Sequence, residues 1–177
     1  MKNKKDKGIV LFFMMGFGVA IVTVMAISAH FINAYIILNS DGHLIVSWKE
    51  TGLGDNQQVG YLASADAEGY YVCLNRGDNR PMAQNKRSFM EPVSSMGSFF
   101  SGKNGHLQAS PLIAPPQPSP SLNCGSGQIE VLACVTYSGI MLKDTTNGIS
   151  ADFIPDSVSK VFYPLPECFP PTRGAVL

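Results

Sequence analysis

The sequence predicts an all-β fold, an Ig-like or Greek-key β-sandwich of about 7–10 short strands preceded by one hydrophobic N-terminal helix. Three observations carry this reading. β-Branched and aromatic residues gather in short runs separated by clusters of Gly, Asn, Asp, Ser and Pro. Those clusters recur about every eight to twelve residues, the rhythm of a sandwich. The long uncharged apolar run lies at residues 8–29, and beyond it the β-forming content outweighs any helical repeat.

Residues 1–7, MKNKKDK, carry four lysines and one aspartate, and residues 8–29, GIVLFFMMGFGVAIVTVMAISA, carry no charge. A basic stretch followed by an apolar one marks a secretory signal or an N-terminal anchor. As a helix the apolar run would be roughly 33 Å long at ~1.5 Å per residue, enough to cross a bilayer. That length favours an anchor, because a signal core is about 7–15 residues. The cut site favours the opposite. Ala29, with Ile27 two residues before it, forms an imperfect A-x-A-like site between Ala29 and His30, and Ala26 with Val24 offers a second. Cleaved secretion is the expectation, with a retained anchor as the alternative. In both, the lysines stay cytoplasmic and residues 30–177 are outside.

The exported part carries nine Lys and Arg against twelve Asp and Glu, so the zero net charge of the chain conceals a mildly acidic domain. With no basic run, nucleic acid is not an expected partner. A membrane is expected only through residues 8–29, if they are uncleaved. The extracellular partner is left unknown. One core and one domain suit this length, a sandwich over 30–163 followed by a Pro-rich tail, 164–177.

The elements follow in order. FINAYIIL (31–38) and HLIVSW (43–48) flank NSDG (39–42), which reads as a hairpin. Pairing Leu38 with His43 sets Ile37 against Leu44, Tyr35 against Val46 and Asn33 against Trp48, with this face in the core and Trp48 as its anchor. TGLGDNQQ (51–58) is a turn cluster. VGYLASADA (59–67) and GYYVCLN (69–75) are two further strands, and RGDNRPMAQNK (76–86) is a polar loop. One short strand is expected within 87–103 and another at GHLQASPL (105–112). Five prolines in 111–122 make a polyproline-like crossover. QIEVLACVTY (128–137) places Ile129, Val131, Ala133, Val135 and Tyr137 on one face. IMLKD (140–144), the turn TTNG (145–148), ISADFI (149–154) and VSKVFY (158–163) complete the set.

The four cysteines, Cys73, Cys124, Cys134 and Cys168, all fall in the exported part. An even count in an oxidising compartment reads as two disulfides, whose three possible connectivities the spacing leaves open. The absence of a C-x-x-C pair argues against zinc, and no cofactor is expected.

Several motifs carry a resemblance: SWKETGLGDNQ (47–57), YVCLNRGDNRPMAQNK (71–86), SGKNG (101–105), CGSGQ (124–128), VTY (135–137) and DTTNG (144–148). In order and spacing they resemble a family of short, signal-peptide-bearing exported proteins without an assigned activity, from actinobacteria, related soil bacteria and some fungi. The family's mature chain begins Ala-His-Phe, similar to Ala29-His30-Phe31. The resemblance implies an extracellular β domain with a Cys73–Cys124 bridge, cleavage after Ala29, and no reaction. This chain departs from the pattern at Cys134, at Asp78 and in its tail. The two additional cysteines suggest a second bridge, Cys134–Cys168. Each bridge would contribute roughly 3–4 kcal/mol by restricting the unfolded chain.

Candidate sites are few. A cut after Ala29 would give His30 an α-amine and an imidazole for Cu(II), with His106 as the available second ligand. His43 is a poor partner, about 26 Å away along the hairpin at ~3.3 Å per residue. Arg76-Gly77-Asp78 matches an integrin-binding tripeptide but reads as a polar turn. Asp55, Asp78 and Asp144, with Asn56, Asn79 and Asn147, offer oxygen ligands for Ca²⁺ without the spaced EF-hand loop. Lys49 and Glu50 are adjacent on a strand and would point apart. Tyr61, Tyr70, Tyr71, Phe99, Phe100 and Phe162 could stack on a sugar, although a sandwich core needs most of them. No catalytic or metal residue is assigned. The functional expectation is a secreted or cell-surface structural or interaction protein that is not an enzyme. A carbohydrate- or Ca²⁺-binding module is the alternative.

Overall fold

The computed structural model describes residues 28–77 and 81–169, the side chains of 81–85 excepted. The expected N-terminal helix, Asp78, Asn79 and the end of the tail lie outside the described residues. Among the described residues there are nine strands, β1 (His30–Leu38), β2 (Leu44–Thr51), β3 (Gln58–Asn75), β4 (Pro81–Phe100), β5 (Leu107–Ala109), β6 (Leu112–Ile113), β7 (Gln128–Asp144), β8 (Ile149–Asp152) and β9 (Val158–Val161). A 3₁₀ turn, Pro166–Cys168, follows. The fold is all-β. One antiparallel sheet runs β1-β2-β5, with β6 also on β2, and the other runs β4-β3-β7-β8, with β9 also on β7.

The two sheets share one core. Leu44, Val46 and Trp48 of β2 meet alternate residues of β3 (Val59, Tyr61, Ala63, Ala65, Ala67) and Val135, Tyr137 and Leu142 of β7. This is the period-2 alternation of strands buried on one face. Trp48 is 1% exposed; its ring lies 4.7 Å from Tyr61 and meets Phe99 edge-on at 5.9 Å. Truncating such a residue typically costs about 3–5 kcal/mol.

Three expectations are corrected. First, the strands are not all short. β3 runs unbroken through Ala67, Glu68 and Gly69, β4 spans both the expected loop end and the expected short strand, and β7 runs through Ser138 and Gly139. Gly and Ser interrupt a strand pattern in sequence, but β3 is paired with both β4 and β7 through Ala67, Glu68 and Gly69, and β7 crosses Ser138 and Gly139 with a shift in its register against β3.

Second, the hairpin register is offset by one. Leu38 opposes Leu44, Ile36 opposes Val46 and Ala34 opposes Trp48. A one-residue slip exchanges the faces of a strand. Thus Tyr35 and Ile37 are exposed, while Ala34, Ile36 and Leu38 pack on the core. The cause is the turn. Asn39 Oδ1 accepts the backbone N–H of both Asp41 and His43 at 2.9 Å, and the Asn39 N–H donates to the His43 carbonyl. This closes the loop at Asn39 and His43 and leaves Leu38 opposite Leu44.

Third, β7 does not keep one face. Its register against β3 shifts between the Tyr70–Cys134 and Tyr71–Leu132 pairs, so Ala133 is a bulge. Val135 and Tyr137 stay in the main core, whereas Ala133 and Val131 join a second cluster with Val72, Leu74 and Leu165.

Disulfides join Cys73 to Cys124 and Cys134 to Cys168, the two pairs put forward from the sequence. The first ties the stretch after the proline-rich crossover to β3. The second ties the tail to β7 beside the second cluster. Two such bonds fit an oxidising compartment. Among the described residues no helix is long and apolar enough to cross a membrane.

Candidate functional site

Two places depart from an ordinary sandwich surface and core. The first is interior. Glu50 closes the core face of β2, and neither it nor Asp144, at the end of β7, has any solvent exposure. The Tyr61 hydroxyl donates to Glu50 Oε2 at 2.7 Å, and the Asp144 carboxyl lies beside Glu50. Burial pushes the Glu50 carboxyl up to about 7, the Tyr61 hydrogen bond offsets part of that, and the neighbouring Asp144 raises it again. Glu50 Oε1 and Trp48 Nε1 are buried without a hydrogen bond of ordinary geometry. Asp144 is engaged elsewhere: its carboxylate accepts the N–H groups of Thr146 and Asn147 and the Asn147 amide, building the β7–β8 turn. Both carboxyl groups are thus sealed from solvent within the core.

The second place is at the surface. Among the described residues β4 pairs only with β3, so its other side is an edge of the second sheet. Along 20 residues this strand changes character. Its first part contains Pro81, Lys86, Arg87, Glu91 and Pro92, the residue types by which edges resist further pairing. Its last part, Val93-Ser94-Ser95-Met96-Gly97-Ser98-Phe99-Phe100, has no charge and no proline. Val93 and Phe99 turn inward to the core, whereas Met96 is 79% and Phe100 68% exposed on the opposite face, in line with Met90. An uncharged edge flanked by exposed apolar side chains is suited to accept another strand.

The residues singled out in the sequence distribute as follows. His30 is exposed at the start of β1, and its Nδ1 lies 2.8 Å from the Ser28 carbonyl oxygen. His30 pairs with Thr51 on one side of β2, while Leu107, the neighbour of His106, pairs with Glu50 on the other. One strand thus separates the two histidines, about 10 Å between backbones. His43 sits at the far end of the hairpin, beside the turn. Among the described residues no three His, Cys, Asp or Glu side chains are grouped to hold a metal ion.

Arg76 and Gly77 occupy the turn after β3, with the Arg76 N–H bonded to the Gly127 carbonyl. Asp55 and Asn56 lie in the exposed turn before β3, whereas Asn147 serves the β7–β8 turn through its bonds to Asp144. Lys49 and Glu50 point apart, one exposed and the other buried. Of the aromatic residues, Tyr61 and Tyr71 are buried, Tyr70, Phe99 and Phe162 are half-buried, and Phe100 is exposed. Tyr71 also donates to the Pro116 carbonyl, holding the proline-rich crossover against β3. An open cleft of about 650 Å³ lies between β1 and β8, lined by His30, Ile32, Ile149 and Asp152 among others.

The sequence reading missed the β4 edge. Its signal was present as a contrast: charge and proline stop at Pro92, and an alternating neutral run follows. No known protein family, curated protein or solved structure matches the chain.

Proposed function

We propose that this is an exported, extracellular β-sandwich of Greek-key type that acts as a structural or interaction module and not as an enzyme. The observation that carries the reading is the uncharged edge Val93–Phe100, uncovered among the described residues, with Met96 and Phe100 projecting from it. Main-chain hydrogen bonds along such an edge supply affinity, and alternate side chains supply selectivity. The two disulfides, the charge-free segment 8–29 behind a lysine-rich start, and the resemblance to small exported β proteins support placement outside the cell. The perturbed carboxyl, Glu50, is sealed in the core, which supports a structural role for it.

The test is intact mass and N-terminal sequencing of the protein recovered separately from medium, membranes and cytoplasm. The reading expects an oxidised chain, lighter by four hydrogens for its two disulfides, in the medium with His30 first or on the membrane with residues 8–29 retained. A reduced, unprocessed chain in the cytoplasm would overturn it.

A further inference from the structure

We propose that the partner of the β4 edge is a second copy of this chain, joined antiparallel through Val93–Phe100 about a two-fold axis at Gly97. The inference rests on the reading of that edge as an interaction site. A two-fold interface must be self-complementary, each residue meeting its symmetry mate's counterpart. In an antiparallel pair, directly opposite residues share a face, so the axis must set a residue against one of the same parity. With the axis at Gly97, Met96 opposes Ser98 of the second copy and Ser94 opposes its Phe100. The four outward apolar side chains, Met96 and Phe100 from each copy, then become diagonal neighbours about 7–8 Å apart, within reach of long side chains. Their present exposures, 79% and 68%, are the surface such a pairing would cover.

Charge gives the same register. Glu91 is the last charged residue before the neutral run, and Lys103, at the tip of the turn that follows β4, is the first after it; both are exposed. The axis at Gly97 sets Glu91 of one copy three residue positions past Phe100, the last residue of β4, in the other, at the level of the turn that carries Lys103, and the symmetry repeats this at the far end. Neutral residues fill the space between, so no like charges are brought together. The pairing also extends the second sheet across two molecules without disturbing either core, because Val93 and Phe99 already face inward. An interface built on about eight residue pairs falls below the area of about 1,200 Å² at which stable complexes begin, so the dimer is expected to be weak and concentration-dependent.

The experiment is sedimentation velocity on the full chain, in the form the exporting cell leaves and in one fixed detergent, for wild type and for Met96→Lys, Glu91→Lys, Lys103→Glu and the double variant Glu91→Lys/Lys103→Glu. All three positions are exposed, so folding is not at stake. The proposal expects a dimer for wild type, a shift to monomer for Met96→Lys, at least about five-fold weaker association for each charge reversal, and recovery to within about two-fold in the double variant. Wild type that stays monomeric up to about millimolar concentration would overturn the proposal, as would a dimer indifferent to all of these changes. A monomer found in the medium would remove the second copy alone, whereas retention of a reduced chain in the cytoplasm would remove the functional reading beneath it.

Discussion

The Tyr61 hydroxyl, on the second sheet, donates a 2.7 Å hydrogen bond to Glu50 Oε2 on the first. The two residues sit at the end of the core where β2 and β3 face each other, with Asp144 beside them and the Trp48 ring tilted against Tyr61 at 4.7 Å. A neutral Glu50 makes this contact an ordinary buried hydrogen bond across the layers. An ionised Glu50 would place a charge next to a second buried carboxyl.

Glu50 therefore makes stability depend on pH in a defined direction. Its carboxyl is held up at about 7 against 4.5 for a free glutamate, by burial first and by Asp144 in addition, with Tyr61 and His30 pulling the other way. Between these values the native state keeps a proton that the unfolded chain has released, so stability falls as pH rises. The fall contributed by this group is roughly 3 kcal/mol, complete by about pH 8. Urea unfolding across that range should show the slope in wild type and a much flatter curve in Glu50→Gln. Equal slopes in the two would refute the assignment.

Tyr61→Phe should act on the same proton. Losing the hydroxyl leaves Glu50 Oε2 without its donor, at a cost of about 1–3 kcal/mol. Because that hydrogen bond lowers the Glu50 carboxyl's position, its removal should move the end of the pH slope above 7. The same urea series measures both effects.

Gly42→Ala should loosen the β1–β2 turn. Gly42 has φ +85°, and an added Cβ would meet the Phe162 ring at 3.0 Å. Its carbonyl also accepts the Tyr137 hydroxyl at 2.9 Å, and the adjacent Asn39 carbonyl accepts Lys160 Nζ at 2.7 Å, so the turn is pinned to the second sheet. The expected loss is more than about 1 kcal/mol, read from the thermal midpoint, with Asp41→Ala at the exposed neighbouring position as a near-neutral control.

Opening either disulfide should lower stability by up to about 4 kcal/mol in the chain-entropy model, since the bonds span 51 and 34 residues. The effects should differ in place. Cys73→Ser/Cys124→Ser should free the region after the proline-rich crossover, whereas Cys134→Ser/Cys168→Ser should free the tail from the Val72–Leu74–Ala133–Leu165 cluster. Amide exchange mapped by segment distinguishes them.

Much of the fold was legible because burial on one face writes itself as alternation. Leu44, Val46 and Trp48 were placed inward from that pattern alone, and the TTNG turn was legible from its residues. What was not legible depended on single hydrogen bonds or single inserted residues. The register of β1 followed from two bonds to Asn39 Oδ1, and the change of face in β7 from one bulge at Ala133. Glu50 was visible only as a strand residue next to Lys49. Its meeting with Tyr61 and Asp144 joins three strands of two sheets, which no local pattern encodes. The edge of β4 was hidden for a related reason, since strand order across a sheet, and hence which strand lacks a neighbour, is a property of the whole chain.

The most direct test of the open edge is amide hydrogen exchange over Val93–Phe100 in dilute solution, where association is suppressed. The structure predicts an alternating pattern, with amides bonded to β3 protected and those facing away exchanging at nearly the rate of an unfolded chain. Protection of the whole stretch in the dilute monomer would show that the chain covers this edge itself, and would contradict an interaction site there.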